Sequence, residues 1–222
     1  MCGRYTLTVE FPILIQTFPQ FSFSEIHSPR YNIAPTQLVL AVANDGKYQA
    51  NNFRWGLIPH WAKDSSIGNR MINARSETLA EKTSFKMPYR KQRCLILTDG
   101  FYEWVKNDNG EKIPFYVHLA SKKPFTFAGL WERWLSPTED TEIKTCTIIN
   151  TAANKFMSGF HHRMPAIIKS ENHDHWLSPR VYQPSDLTNL LTPYPDDDLV
   201  AYPVSKWVNS SKNDGPNCIA TI

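Results

Sequence analysis

No apolar run in this 222-residue chain approaches the ~18 residues that a membrane span requires. The longest stretch, Leu38-Val39-Leu40-Ala41-Val42-Ala43, is strand-sized. The first fifteen residues lack the basic-then-apolar layout of a secretory signal, and Cys2 has no apolar stretch before it of the kind a lipoprotein anchor needs. A soluble, cytoplasmic protein is therefore expected. Cysteine is scarce: Cys2, Cys94, Cys146 and Cys218 lie more than 50 residues apart, and no CxxC pair exists. That argues against a zinc ribbon or a thioredoxin-type redox site. Internal repeats, low-complexity tracts and Gly/Ser linkers are also missing. Charge of neither sign dominates, with 24 Lys+Arg against 21 Asp+Glu, and the 41% hydrophobic content rules out disorder. One domain spanning residues 1–222 is the expectation.

The small net charge hides an uneven distribution. Between Arg54 and Arg93 lie nine basic residues and three acidic ones, together with Trp55, Trp61, Phe85 and Tyr89. Cations that follow phosphates, mixed with rings that stack on bases, suit single-stranded nucleic acid. A solvated basic helix face beside core tryptophans has the same composition.

Short apolar runs broken by sixteen scattered prolines predict strands at 37–43, 50–55, 93–98, 101–105, 114–119, 125–131, 144–150, 165–168 and 199–203. Helices are predicted at 8–18, 76–83, 151–158, 170–177 and 185–191, the last capped by Ser185 ahead of Asp186. Strands without regular β-α alternation predict an α+β fold: a single domain with a mainly antiparallel, partly barrel-like sheet and a few peripheral helices.

The chain begins Met1-Cys2-Gly3-Arg4. Removal of Met1 would leave Cys2 with an α-amine and a thiol on adjacent carbons. An α-amine is far less basic than a lysine, so roughly a tenth of it is neutral at pH 7 and free to attack an aldehyde. The thiol can then close onto the imine carbon as a thiazolidine, intramolecularly and so at high effective molarity. Alternatively, the thiolate could act as an acyl-transfer nucleophile with its own amine as base. Three further groups bear on the choice. Glu103 stands among aromatics in Phe101-Tyr102-Glu103-Trp104, where desolvation raises a carboxyl pKa and suits it to proton transfer. His161 and His162 precede Arg163-Met164-Pro165; adjacent histidines cannot share a strand face, so at most one enters a site. They lack the i, i+4 spacing of a helical metal pair, and neither a metal nor an organic cofactor is implied. Asn73 and Arg75, two apart, share one side of an extended segment.

Together these pieces resemble the SOS response-associated peptidase (SRAP) family. The resemblance rests on Met1-Cys2-Gly3-Arg4, Tyr31-Asn32-Ile33-Ala34-Pro35, Arg54-Trp55-Gly56-Leu57-Ile58-Pro59, Ile72 to Thr78, Asp99 to Trp104, His161 to Pro165 and Val208 to Lys212, in the family's order. It implies a protein of the DNA damage response that binds single-stranded DNA and crosslinks abasic sites covalently, shielding the lesion, with lyase and self-reversal chemistry open to it. It implies that Cys2 forms the crosslink, assisted by Asn73, Glu103 and His161. Arg4, Arg75 and Arg163 match phosphate-contacting positions, Pro35 and Trp61 lie in segments that pack near the lesion, and Lys212 joins them as a DNA-binding residue. The family commonly has Asp where this chain has His162, and Ala62 follows Trp61. A monomer, nucleoid-associated when bound to DNA, is expected. A cysteine peptidase acting on its own Met1, an N-terminal-nucleophile amidohydrolase and a non-enzymatic single-strand-binding module are the alternatives.

Overall fold

The structure, a computed structural model, describes residues 2–137, 141–180 and 183–222. Its strands are β1 (Tyr5–Leu7), β2 (Ser22–Phe23), β3 (Arg30–Ile33), β4 (Leu38–Ala43), β5 (Gln49–Trp55), β6 (Asn73–Arg75), β7 (Arg93–Thr98), β8 (Gly100–Lys106), β9 (Lys112–Leu119), β10 (Phe125–Leu135), β11 (Glu142–Ala152), β12 (Arg163–Pro165), β13 (Ile167–Ile168) and β14 (Leu199–Pro203). Short helices α1 (Phe11–Thr17), α2 (Thr83–Lys91), α3 (Lys155–Ser158), α4 (His173–Leu177) and α5 (Pro184–Thr188) lie between them.

Strands β11, β10, β7, β4 and β5 pair in that order, antiparallel throughout. A parallel contact, Thr145 to Arg54 and Cys146 to Trp55, joins β5 back to β11 and closes a five-stranded barrel. β6 and β12 both pair with β11 farther along. A second, five-stranded antiparallel sheet runs β14-β9-β8-β1-β3. Phe53, Trp55, Cys94, Ile96, Phe127, Cys146 and Ile148 are fully buried; they are alternate positions that the pairing registers set on one common face, the inside of the barrel. The two sheets meet where β7 becomes β8. There the buried Asp99 carboxylate accepts from the Thr6 hydroxyl (2.5 Å), the Thr8 hydroxyl (2.7 Å) and the Thr8 and Val9 amides (2.5 and 3.0 Å). These bonds pin the end of β1, and so aim the chain that leads back to Cys2.

The α+β, partly barrel-like architecture is the predicted one. Differences lie in short elements. The chain over 76–83 is a 3-10 turn at Ser76–Thr78, and the helix falls later, as α2, with Pro88 inside it. Segment 151–158 begins as the end of β11, and helix starts only at Lys155, after Asn154 caps the Met157 amide (2.7 Å). Residues 165–168 divide between β12 and β13. Ser185 is not a cap: it lies inside α5, and the Gln183 amide donates to the Asp186 carboxylate (3.1 Å) instead. Pro184 at the first helical position moves the start one residue earlier.

Candidate active site around Cys2

Cys2 is buried just ahead of β1, its thiol directed to the Arg4 carbonyl at 3.6 Å. Asn73, at the start of β6, donates from Nδ2 to the Cys2 carbonyl at 2.8 Å. Its Oδ1 is buried with no hydrogen-bond partner among the described residues. β1 and β8 pair with Tyr5 opposite Phe101, and the Tyr102 amide donates to the Arg4 carbonyl (3.0 Å). Continuing that register sets Glu103 across from Gly3, beside Cys2. Glu103 is only 4% exposed, and burial raises its carboxyl pKa. Burial, with the Glu103 charge adding to it, pushes the Cys2 thiol far up. This pocket favours neutral sulfur and an easily protonated carboxyl.

The His161 segment reaches the same place by packing. Phe160 stacks edge-on against Phe115, ring centroids 5.2 Å apart, and Phe115 is the β9 partner of Glu103. His161 is half-buried and His162 exposed, their rings stacked at 4.2 Å. His161 is the more buried of the two, but both precede β12 and their rings lie on one side, so strand alternation does not sort them. The Arg163 amide donates to His161 Nδ1 (2.9 Å), and burial lowers the imidazole pKa, with the positive charges of His162 and Arg163 in the same direction.

The proposed phosphate-binding arginines differ in their freedom. The Arg163 guanidinium is committed within the chain: Nη1 and Nη2 meet the Glu77 carboxylate (2.6 and 2.8 Å), while Nε and Nη2 meet Asn150. Arg4 is half-buried, its pKa lowered by burial, and it donates to Asn32 Oδ1 (2.7 Å) and the Val208 and Asn209 carbonyls. Arg75 is exposed and makes no side-chain bond among the described residues. Lys212 is likewise exposed, in the C-terminal segment that Arg4 grips. Pro35 lies half-buried in the turn from β3 to β4, which Thr36 holds by donating its amide to the Trp55 carbonyl (2.8 Å). Trp61 is 51% exposed, whereas Ala62 is buried and its carbonyl accepts from Trp134 Nε1 (2.7 Å). Ala62 faces inward and so takes no part in any stacking at Trp61.

The basic stretch also divides. Lys63, Arg70, Arg75, Lys82, Lys86 and Lys91 are exposed, but Arg93 is wholly buried, donating to the carbonyls of Trp176, Tyr89, Arg90 and Ser178. Of the aromatics there, Trp55 and Tyr89 are core. Two residues with structural work at the site were not singled out from sequence. Buried Asn32 donates to three carbonyls of the C-terminal segment while receiving Arg4, and Glu77 anchors Arg163. Asn32 lies in the Tyr31–Pro35 motif and Glu77 in the Ile72–Thr78 motif, which was the available signal. A cavity of about 730 Å³ between α1, β13 and the β9–β10 turn includes none of these site residues.

The sequence profile for SOS response associated peptidase (SRAP) matches residues 1–211. Abasic site processing protein YoqW of Bacillus subtilis is 48% identical over 222 residues, covering 99% of each chain. YoaM of the same organism is 46% identical over 217 residues, covering 96% of this chain and 95% of its own. Abasic site processing protein HMCES of Xenopus tropicalis is 31% identical over 230 residues, covering 90% of this chain and 68% of its own. A crystal structure of a protein from Bacteroides thetaiotaomicron superposes with a TM-score of 0.88 at 25% identity, over all of both chains. The chain belongs to the SOS response associated peptidase family.

Proposed function

We propose that this protein captures abasic sites in single-stranded DNA as a covalent adduct on Cys2, after removal of Met1, which lies outside the described residues. The observation that carries the reading is Asn73 holding the Cys2 carbonyl (2.8 Å) while buried Glu103 stands across the ladder. The relatives' names, abasic site processing proteins, agree with it.

The chemistry follows from the groups. An abasic deoxyribose opens to a C1 aldehyde as His161, its Nδ1 taken by the Arg163 amide, gives its Nε2 proton to the ring oxygen while the proton of the C1 hydroxyl replaces it on Nε2. The neutral Cys2 amine adds to that carbon, and one nitrogen proton passes to the aldehyde oxygen to give a carbinolamine. Glu103 then gives a proton to the departing hydroxyl, water leaves, and the Glu103 carboxylate takes the remaining nitrogen proton, so that an imine remains and Glu103 is restored. The Cys2 S–H adds across the C=N bond: sulfur bonds to C1, and the thiol proton ends on nitrogen. The ring product is a thiazolidine. Reopening it to the imine allows either reversal or β-elimination of the strand, a lyase outcome. Burial that keeps the thiol protonated suits this amine-first order and works against a thiolate acyl-transfer nucleophile. A single strand presents the lesion without the unstacking cost of a duplex.

Mature protein mixed with single-stranded DNA bearing one abasic site should give an adduct that survives heating in denaturant. Cys2→Ala keeps an amine able to form a transient imine and should lose that stable product. No stable adduct with the wild type, or an equally stable one with Cys2→Ala, would overturn the reading.

A further inference from the structure

Glu77 and His161 lie on different motifs, yet one arginine connects them. Arg163, its side chain 12% exposed, sets two nitrogens against the Glu77 carboxylate (2.6 and 2.8 Å). The same guanidinium donates to Asn150 Oδ1 (3.1 Å) and to the Asn150 carbonyl (2.7 Å). Asn150 is the residue on β11 that faces both Arg75 of β6 and Pro165 of β12. The fork therefore ties β12 to the central strand and, through Glu77, to the turn that follows β6. Bidentate arginine–carboxylate pairs fix geometry as well as charge.

The backbone amide of Arg163 donates to His161 Nδ1 at 2.9 Å. A ring nitrogen that accepts an N–H carries no proton itself, so neutral His161 is protonated at Nε2. Where Arg163 sits thus decides which nitrogen of His161 can give a proton and which way the ring turns.

We propose that Glu77 is a positioning residue for proton transfer: by clamping Arg163 it holds the backbone amide that fixes the Nε2-protonated tautomer and orientation of His161. The role rests on the capture reading above. It assigns the guanidinium a structural duty, so a DNA phosphate reaches Arg163 only in competition with Glu77. It also supplies, from elsewhere in the fold, an anchor for a histidine whose neighbour here is His162 and not a carboxylate.

Long-range nitrogen–proton NMR on the free protein reads the tautomer directly, without any substrate. The wild type should show His161 protonated at Nε2 alone. Glu77→Gln removes the charge at a side chain that is half exposed, and should give a mixture of tautomers. Capture at saturating DNA should then slow about tenfold or more, the lower part of what a lost acid–base group costs, while affinity for intact single strands does not weaken. Glu77→Asp should recover part of the rate. In a His161→Ala background, Glu77→Gln should slow capture no further. An unchanged tautomer in Glu77→Gln, or a loss of rate that persists in full without His161, overturns the proposal. A wild type that forms no adduct would overturn the capture reading instead, and the tautomer measurement would still decide the role of Glu77.

Discussion

Glu103 and His161 are pushed in opposite directions by the same cause. Burial raises the carboxyl and lowers the imidazole, so around neutral pH the acid is closer to holding its proton and the histidine is neutral. Single-turnover capture is expected to rise with pH as the amine and His161 lose protons, then fall as Glu103 ionises. The falling limb should vanish in Glu103→Gln, and Glu103→Gln and His161→Ala should each slow capture by ~10²–10⁴-fold with DNA affinity nearly unchanged. His162→Ala should do far less, since that ring is exposed on the outer side of His161. Rates at several pH values check all of this; a larger loss in His162→Ala would mean that the other ring serves the site. At this scale the sequence was informative where chemistry is local. An aminothiol at Cys2 and a carboxyl among Phe101, Tyr102 and Trp104 can be read without coordinates. The partner of Arg163 could not, because Glu77 lies 86 positions away and only the β6–β11–β12 pairing brings them together.

Long strands were legible because β4, β7, β10 and β11 are continuous apolar or β-branched runs. Two of the strands near the site were not. β1 and β3 are three and four residues long, too short for alternation to register, and they exist because longer neighbours offer them an edge; β6, equally short, was legible only as an extended segment around Asn73 and Arg75. Helix placement failed at 76–83, where the chain forms only a 3-10 turn at Ser76–Thr78. One turn depends on glycine outright. Gly56 follows β5 at φ +127, and a Cβ there would stand 2.6 Å from the Gly68 carbonyl oxygen. Gly56→Ala should destabilise the protein by at least about 1–3 kcal/mol from backbone strain alone. It should also misplace the turn carrying Trp61. Urea unfolding measures the first, and the loss of single-strand affinity relative to wild type measures the second; a midpoint unchanged from wild type would contradict the stated geometry.

Across the whole molecule, charge is segregated more than the net value implies, with six exposed cations on the segment from Lys63 to Lys91. Non-covalent binding should therefore weaken with salt, by a slope near ~0.7 per phosphate neutralised on single strands. Arg75→Ala should lower both affinity and slope for every sequence tested, in filter-binding or fluorescence titrations at several salt concentrations. Salt-independent binding would remove the electrostatic account. Arg93 is not a comparable probe, because it is wholly buried and donates to at least five backbone carbonyls. The barrel closes through residues about ninety positions apart, Arg54–Trp55 with Thr145–Cys146. On the ribosome that closure waits until the chain past Cys146 has emerged. Before then Arg54 and Trp55 of β5 lack their β11 partners, and contacts this distant in sequence make for slow folding. Asn73, Glu103 and the His161 segment emerge one after another, so the wall around Cys2 is completed late. At ~5–20 residues per second the chain takes roughly 10–45 s to make. For most of that interval the amino terminus is open to processing enzymes, and its chemistry becomes guarded only when synthesis is nearly done.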